Sequence, residues 1–233
     1  MISFHVVDDP AAEVAERLAE AAAAGGHIAL TGGSTPRSAY ERAAVADVDW
    51  GGVTVWFGDE RCVPPDDERS NYAMAKAALL DRIPAAAPAV HRMAGELGPE
   101  RGADDYEARL RETFGAGTPS LDLILLGLGS DGHCASLFPG RPEVEETERL
   151  VVGVPEAGLE PFVPRISFTL PLIDAAREIV FLVSGASKAE AVARAFGGAP
   201  DPATPASLVA PASGSLTVLL DPAAAELLER SRA

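Results

Sequence analysis

Cysteine and lysine are both scarce in this chain: each occurs twice in 233 residues, as Cys62 and Cys134 and as Lys76 and Lys188. The two cysteines lie far apart with no CxxC pair, which argues against a structural zinc site and a disulfide framework. They are expected to be reduced, partly buried small hydrophobes. Basic side chains are the minority, 19 against 35 acidic, leaving a formal net charge of −16. Such a field repels a phosphate backbone instead of neutralising it, so nucleic acid and an anionic membrane surface are poor partners. Small anions are disfavoured too, and an anion site here needs a local cluster of donors and cations. Apolar runs such as 121–128 and 179–183 fall far short of the roughly 18 to 20 residues that cross a bilayer. The first ten residues carry no basic n-region and no long apolar stretch, so no secretory signal is expected and a cytoplasmic location is. No internal repeat is found.

What is present is ordinary globular material, with 47% apolar and 23% charged residues, which excludes disorder and fibrous repeats. Near-continuous apolar stretches at 27–31, 53–57, 121–126, 179–183 and 216–220 read as strands covered on both faces, with a further strand at 166–170. Amphipathic or Ala-rich helices are predicted at about 10–24, 36–45, 71–80, 100–113, 187–196 and 222–230. Strand then helix, repeated, gives a parallel sheet with crossover helices. The Ala/Pro-rich stretches 84–89 and 199–212 read as connections inside one domain spanning 1–233. In open parallel sheets ligands gather beyond the carboxyl ends of the strands, so the loops after the strands are where function is sought.

Four such loops stand out. In Thr31-Gly32-Gly33-Ser34-Thr35-Pro36, two glycines let the backbone turn with N–H groups outward. Ser34 or Thr35 is expected to cap the next helix, with Pro36 at its first position. That makes an anion cradle without a basic side chain, the alternative being a plain strand-to-helix turn. It is not a P-loop, since no Lys-Ser/Thr pair stands at the required spacing. In Gly58-Asp59-Glu60-Arg61-Cys62, two acids and an arginine at a strand end suit sugar hydroxyls and a phosphate, or a solvated charge cluster. Ser70-Asn71 reads as a helix cap. The third loop, Gly127 to Gly140, formally contains GxGxxG, but Pro139, Gly140 and Pro142 break the long helix a dinucleotide fingerprint needs. What remains is Asp131 and His133 in a glycine-rich turn, and imidazole is the side chain best suited to accept and return a proton near neutrality. A serine-hydrolase use of Ser136 or Ser130 lacks the Gly-x-Ser-x-Gly elbow, and a metal held by Asp131, His133 and Asp59 lacks ligand spacing. In the fourth, Ser184-Gly185-Ala186-Ser187-Lys188, a lysine opposes the dipole of the helix it starts, which a bound phosphate or a neighbouring acid would reverse. Arg165 is a further candidate cation.

Together these loops resemble the 6-phosphogluconolactonase family, within the larger group that includes glucosamine-6-phosphate deaminases. In the deaminases the segment looks like Gly-His-Ile-Ala-Phe-Asn-Glu-Pro, with a Glu five places after the His. Here that place is Phe138, in Ser136-Leu137-Phe138-Pro139, the lactonase pattern. Cys134 departs from it, since lactonases commonly carry Thr there. The resemblance implies a single-domain, mostly parallel, Rossmann-like sheet of the sugar-phosphate isomerase type, flanked by helices on both faces. It implies hydrolysis of 6-phospho-D-glucono-1,5-lactone in the oxidative pentose phosphate pathway, with no metal and no organic cofactor. His133 would be the general base, and Asp131 would orient it or the sugar hydroxyls. The phosphate would be held by Gly33, Ser34 and Thr35 with Arg61, Arg165 and Lys188, Asp59 being a further candidate contact. The expected partner is the small sugar-phosphate lactone, with no nucleic acid or membrane, the protein being a monomer or small homo-oligomer. The alternatives are a deaminase or isomerase of the same group and a non-catalytic sugar-phosphate binder.

Overall fold

The computed structural model describes residues 2–83 and 86–232, so positions 84 and 85 of the connection expected at 84–89 lie outside the described residues. In chain order the elements are β1 (Ile2–Val6), α1 (Pro10–Ala24), β2 (Gly26–Leu30), α2 (Ser34–Ala43), β3 (Val53–Phe57), β4 (Asp59–Arg61) and α3 (Asn71–Ala78). There follow β5 (Ala89–Val90), α4 (Pro99–Phe114), β6 (Leu123–Leu126), β7 (Val151–Val154), β8 (Arg165–Phe168), α5 (Leu170–Asp174), β9 (Glu178–Val183), α6 (Ala189–Phe196), β10 (Ser215–Leu220) and α7 (Pro222–Arg232). Helix boundaries follow local chemistry. Asp9 caps α1 by accepting the Ala12 N–H and Pro10 fills its first position, while Ser70 caps α3 by accepting the Ala73 N–H, as its sequence suggested.

Seven strands form one parallel sheet in the order β1-β10-β9-β6-β2-β3-β5. Its central strands carry the apolar runs: every residue of β6 is buried, and so is all of β9 after Glu178. Leu, Ile, Val and Phe at these positions are covered on both faces by helices, which is why they do not alternate with polar residues. The chain runs from β2 outward through β3 to β5, then returns to the other side of β2 with β6 and continues to β9. The strand order therefore reverses between β2 and β6, and in doubly wound sheets the crevice beyond the carboxyl ends at such a point takes the ligand.

A second, three-stranded antiparallel sheet, β4-β8-β7, sits beyond the end of β3. It corrects two expectations. The charged segment Asp59–Arg61 is not a loop, because Asp59, Glu60 and Arg61 pair with Ser167, Ile166 and Arg165. The strand expected at 166–170 runs instead from Arg165 to Phe168, and Leu170 opens the short α5 with Pro171 in its first turn. No helix among the described residues is long and apolar enough to cross a membrane.

Candidate functional site

A cavity of about 220 Å³ opens where the strand order reverses, walled by the segments that follow β2, β3, β6 and β9. This is below the roughly 300 to 1,000 Å³ of drug-sized sites and suits a compact ligand. Among its lining residues are Gly33, Asp59, Arg61, His133, Arg165 and Lys188. Five separate stretches of chain thus bring six of the nine sequence-predicted residues to one wall. Asp131 reaches the site through its bond to His133. Ser34 and Thr35 are not among the lining residues.

The turn after β2 differs from expectation in its capping. Gly33, at φ +113°, is itself the N-cap of α2, no side chain caps the helix, and Ser34 is its first residue, so Pro36 stands third. At that φ a residue with a Cβ would be strained, which is why glycine occupies the position. The first N–H groups of α2 therefore have no side-chain acceptor, and Gly32 and Gly33 just before them line the cavity, an arrangement that favours an anion. Below them Tyr40 fixes the turn, its hydroxyl accepting from the Thr31 N–H at 2.9 Å and donating to the Thr31 carbonyl at 2.8 Å.

The turn after β6 presents the imidazole. Asp131 Oδ1 lies 2.6 Å from His133 Nδ1 and also accepts the His133 N–H at 3.2 Å. Burial pushes the Asp131 carboxyl upward, but the hydrogen bonds and charge of His133 outweigh it and hold the group below its ordinary value. The ionised carboxylate only accepts, so Nδ1 carries the proton and Nε2 is the basic nitrogen. The turn closes through Gly129 N–H to the His133 carbonyl at 2.9 Å and Gly132 N–H to the Gly129 carbonyl at 3.0 Å. A Cβ at Gly129 would fall 2.0 Å from His133 Nδ1 and 2.4 Å from Asp131 Oδ1, so only glycine leaves room for the pair. The Phe138 ring covers the imidazole at a centroid distance of 4.6 Å.

The cations are held differently from one another. Lys188 ends a single turn of 3-10 helix before α6, and its Nζ donates to the Leu128 carbonyl at 2.8 Å, so the lysine has a local partner that its sequence position hid. Burial holds its ammonium below the ordinary lysine value against the opposing pull of Asp131. Arg165 is no surface residue: it is 4% exposed and donates to the carbonyls of Val163, Pro161 and Leu159 at 3.2, 2.9 and 3.4 Å. Burial pulls its value down against Asp59, whose Oδ2 is 4.0 Å from Nη1. Arg61 donates to the Arg69 carbonyl through Nη1, while its buried Nε has no partner.

The acids of the β4 strand face inward. Glu60, 2% exposed, accepts from the backbone N–H groups of Arg61, Asn71 and Tyr72 and from the Ser70 hydroxyl, clamping the start of α3. Burial raises its value even against those four bonds. Asp59 accepts from Ser136 Oγ at 2.7 Å and Asn71 Nδ2 at 3.0 Å. Ser136 is fully buried and donates to Asp59, not to His133, which removes it as a nucleophile. Among the described residues no three His, Cys, Asp or Glu side chains converge as metal ligands, Asp131, His133 and Asp59 included. Both cysteines are free, Cys134 buried and Cys62 partly so, and burial pushes the Cys62 thiol up to about 12.

A family model for glucosamine-6-phosphate isomerases and 6-phosphogluconolactonases matches residues 4–218. The chain belongs to that family. The 6-phosphogluconolactonase of Synechocystis sp. is 42% identical over 208 residues, 87% of this chain and 85% of the relative. That of Nostoc sp. is 41% identical over 202 residues, 84% of this chain and 82% of the relative. The solved 6-phosphogluconolactonase from Trypanosoma cruzi superposes with a TM-score of 0.85 at 29% identity, covering 97% of this chain and 96% of that one. Within the glucosamine-6-phosphate isomerase/6-phosphogluconolactonase fold, this chain also places Asn71, Ala135, Leu159 and Glu160 on the cavity wall, none of which sequence reasoning assigned to the site. In the sequence Asn71 reads as a cap beside Ser70, yet its side-chain amide donates to Asp59 while Ser70 does the capping. Its being the chain's only asparagine is the one sequence signal that marks it.

Proposed function

We propose that the protein hydrolyses 6-phospho-D-glucono-1,5-lactone to 6-phospho-D-gluconate, with His133 as general base. The observation that carries this reading is the Asp131-held imidazole in the same small cavity as the uncapped α2 turn and three cations. The N–H groups of the 33–35 turn, with Arg61 and Lys188, take the phosphate, which overcomes a chain-wide charge of −16 by a local cluster. Arg165, which lines the same cavity, completes the cluster, its guanidinium held in place by the 159, 161 and 163 carbonyls. His133 Nε2 takes a proton from water as the water oxygen bonds to the lactone carbonyl carbon. When the tetrahedral intermediate collapses, the bond from that carbon to the ring oxygen breaks, and the ring oxygen receives the proton from the imidazolium. The freed carboxylic acid then ionises. Such lactones open spontaneously in water, so a positioned base giving about 10² to 10⁴, with orientation, is sufficient. No covalent nucleophile takes part.

Phe138 favours this over deamination, since it is an apolar ring, 1% exposed, where that chemistry needs a carboxylate. The reading goes with a protein acting as one unit over its whole length, a monomer or small homo-oligomer in the cytoplasm, on a diffusible sugar phosphate and without nucleic acid or membrane. The test is acid release from freshly prepared lactone, corrected for spontaneous opening. The unsubstituted protein is expected to accelerate it, and His133→Ala to lower kcat by about 10² to 10⁴ with KM little changed, because proton transfer matters only in the transition state. An unchanged kcat removes His133 from the mechanism. Ammonia release from glucosamine 6-phosphate, or ligand binding without turnover, would favour the two alternatives instead.

A further inference from the structure

The turn that carries His133 and the turn that faces the anion are linked by buried hydrogen bonds through Ser136, Asp59 and Asn71, the last of which packs closely against Gly32. Just after His133, the Leu137 N–H donates to the Cys134 carbonyl at 3.0 Å, closing a tight turn. At its second position Ala135 has φ +49°, and among the described residues it is the only non-glycine residue with positive φ. A Cβ makes that conformation costly, and it persists where the surroundings over-determine it. Ser136 supplies the constraint. Its backbone N–H donates to Ser167 Oγ of β8 at 3.0 Å, and its hydroxyl donates to Asp59 Oδ2 of β4 at 2.7 Å. Asp59 Oδ1 in turn accepts from Asn71 Nδ2, at the start of α3, at 3.0 Å. Asn71 reaches the anion-facing turn directly: a Cβ added at Gly32 would meet its Oδ1 at 2.0 Å. The series therefore runs from the His133 turn through Ser136, Asp59 and Asn71 to Gly32, and Ser136, Asp59 and Asn71 are all buried.

We propose that Ser136 is a positioning residue which, acting through Asp59 and Asn71, sets the spacing between the imidazole of His133 and the turn at Gly32 and Gly33. This rests on the lactonase reading of the site. A substrate anchored by its phosphate at one turn has its carbonyl carbon placed by that spacing, and a displacement of about 1 Å can cost about 10²-fold in rate. Buried hydrogen bonds in series are a rigid way to hold it, since Ser136, Asp59 and Asn71 each lose a partner when a neighbour in the series is removed.

The test combines kinetics with an NMR reading of the imidazole. The chain has four histidines, so the His133 ring resonance is identified by its loss in His133→Ala. Ser136→Ala and Asn71→Ala are each expected to lower kcat on the phosphorylated lactone about 10- to 100-fold, with KM held within about threefold. The double variant is expected to be no worse than about twofold below the poorer single one, because one break already frees the turn. Both single variants are expected to move the His133 resonance and leave those of His5, His27 and His91 in place. The Asn71→Ala shift is the decisive one, since the amide acts at the far end of the chain. Losses that multiply in the double variant, or a His133 resonance that Asn71→Ala leaves unmoved, overturn the proposal. Should Ser136→Ala fail to fold, Asn71→Ala decides it on the same two readings. Should the unsubstituted protein leave the lactone at its spontaneous rate, the lactonase reading fails, and the resonance shifts still decide whether the chain holds the imidazole.

Discussion

Two imidazoles in this molecule are fixed through the same ring nitrogen by opposite kinds of partner. His133 Nδ1 faces the Asp131 carboxylate at 2.6 Å, whereas His27 Nδ1 accepts the Trp56 indole N–H at 3.1 Å. The carboxylate requires a proton on Nδ1 and leaves Nε2 basic, while the indole, a donor only, requires Nδ1 to be bare and so requires a neutral ring. The surroundings agree with each. His133 lines a cavity with its side chain 18% exposed. His27 lies against Phe114 at 4.4 Å and near Trp56, on which His91 stacks at 4.2 Å. Burial holds His27 below the ordinary imidazole value despite the pull of Asp122. The residue type carries no function by itself. The charge of the partner and the access of a ligand separate a proton carrier from a packing element.

The sharpest way to break that distinction is to take the partner from His133 without touching either side chain. Gly129→Ala places a methyl 2.0 Å from Nδ1 and 2.4 Å from Asp131 Oδ1, so the ring and the carboxylate must part. Loss of an oriented base is expected to lower kcat about 10²-fold. Gly117→Ala, at a glycine whose added Cβ meets nothing within 4 Å, is the control and is expected to leave kcat unchanged. Equal rates in the two variants would mean that the 2.6 Å contact does not matter to turnover.

Lys188 sharpens the comparison from the ligand's side, since its ammonium stands beside the Asp131 that holds His133. Lys188→Ala removes the donor to the Leu128 carbonyl together with a positive charge beside Asp131. If the ammonium chiefly holds the phosphate, KM should rise about 10-fold with kcat within about threefold, in line with about 1.5 to 3 kcal/mol for a charge-assisted hydrogen bond partly replaced by water. Inhibition by inorganic phosphate should weaken in parallel. A fall in kcat with KM unchanged would instead make the lysine a prop for the 127–132 turn.

The central strands were legible because burial on both faces leaves a continuous apolar run, as in β6 and β9. What escaped was whatever depends on a distant partner. β4 is three charged or polar residues that become a strand only by pairing with β8, more than a hundred residues away, and β5 is two residues long. β7, Val151–Val154, is short and contains Gly153, and the edge strand β1 is mostly half-exposed or exposed. The site divides in the same way. His133 and Asp131 announced themselves within one glycine-rich turn, and Lys188 by standing against a helix dipole. Asn71 and Ser136 did not, because their importance lies in Asp59, 12 and 77 positions off. Ser34 and Thr35 were expected to cap on composition, but a left-handed turn gave that place to Gly33.

The packing cluster has its own signature, and it is a matter of stability, not turnover. Burial lowers the His91 value, Arg109 and His27 push the same way, and Glu112 opposes them. Below the ordinary value of about 6.5 the unfolded chain therefore binds protons that the folded cluster resists, so stability falls as pH drops from about 6.5 through the folded value. Asp174, raised to about 6 by burial, works in the opposite sense over part of that range, so the comparison must be a difference between two proteins. His91→Phe keeps a flat ring on Trp56, with which His91 is 10° from parallel, and removes the titration. The Tm of the unsubstituted protein minus that of the variant is expected to decline by about 1 to 3 °C as the pH is lowered from about 7.5 to about 5.5. Activity at neutral pH should be the same in both, because the ring lies outside the residues that line the cavity. A difference that stays constant with pH would show that His91 titrates alike folded and unfolded, and the contrast between the two kinds of imidazole would then rest on His133 and His27 alone.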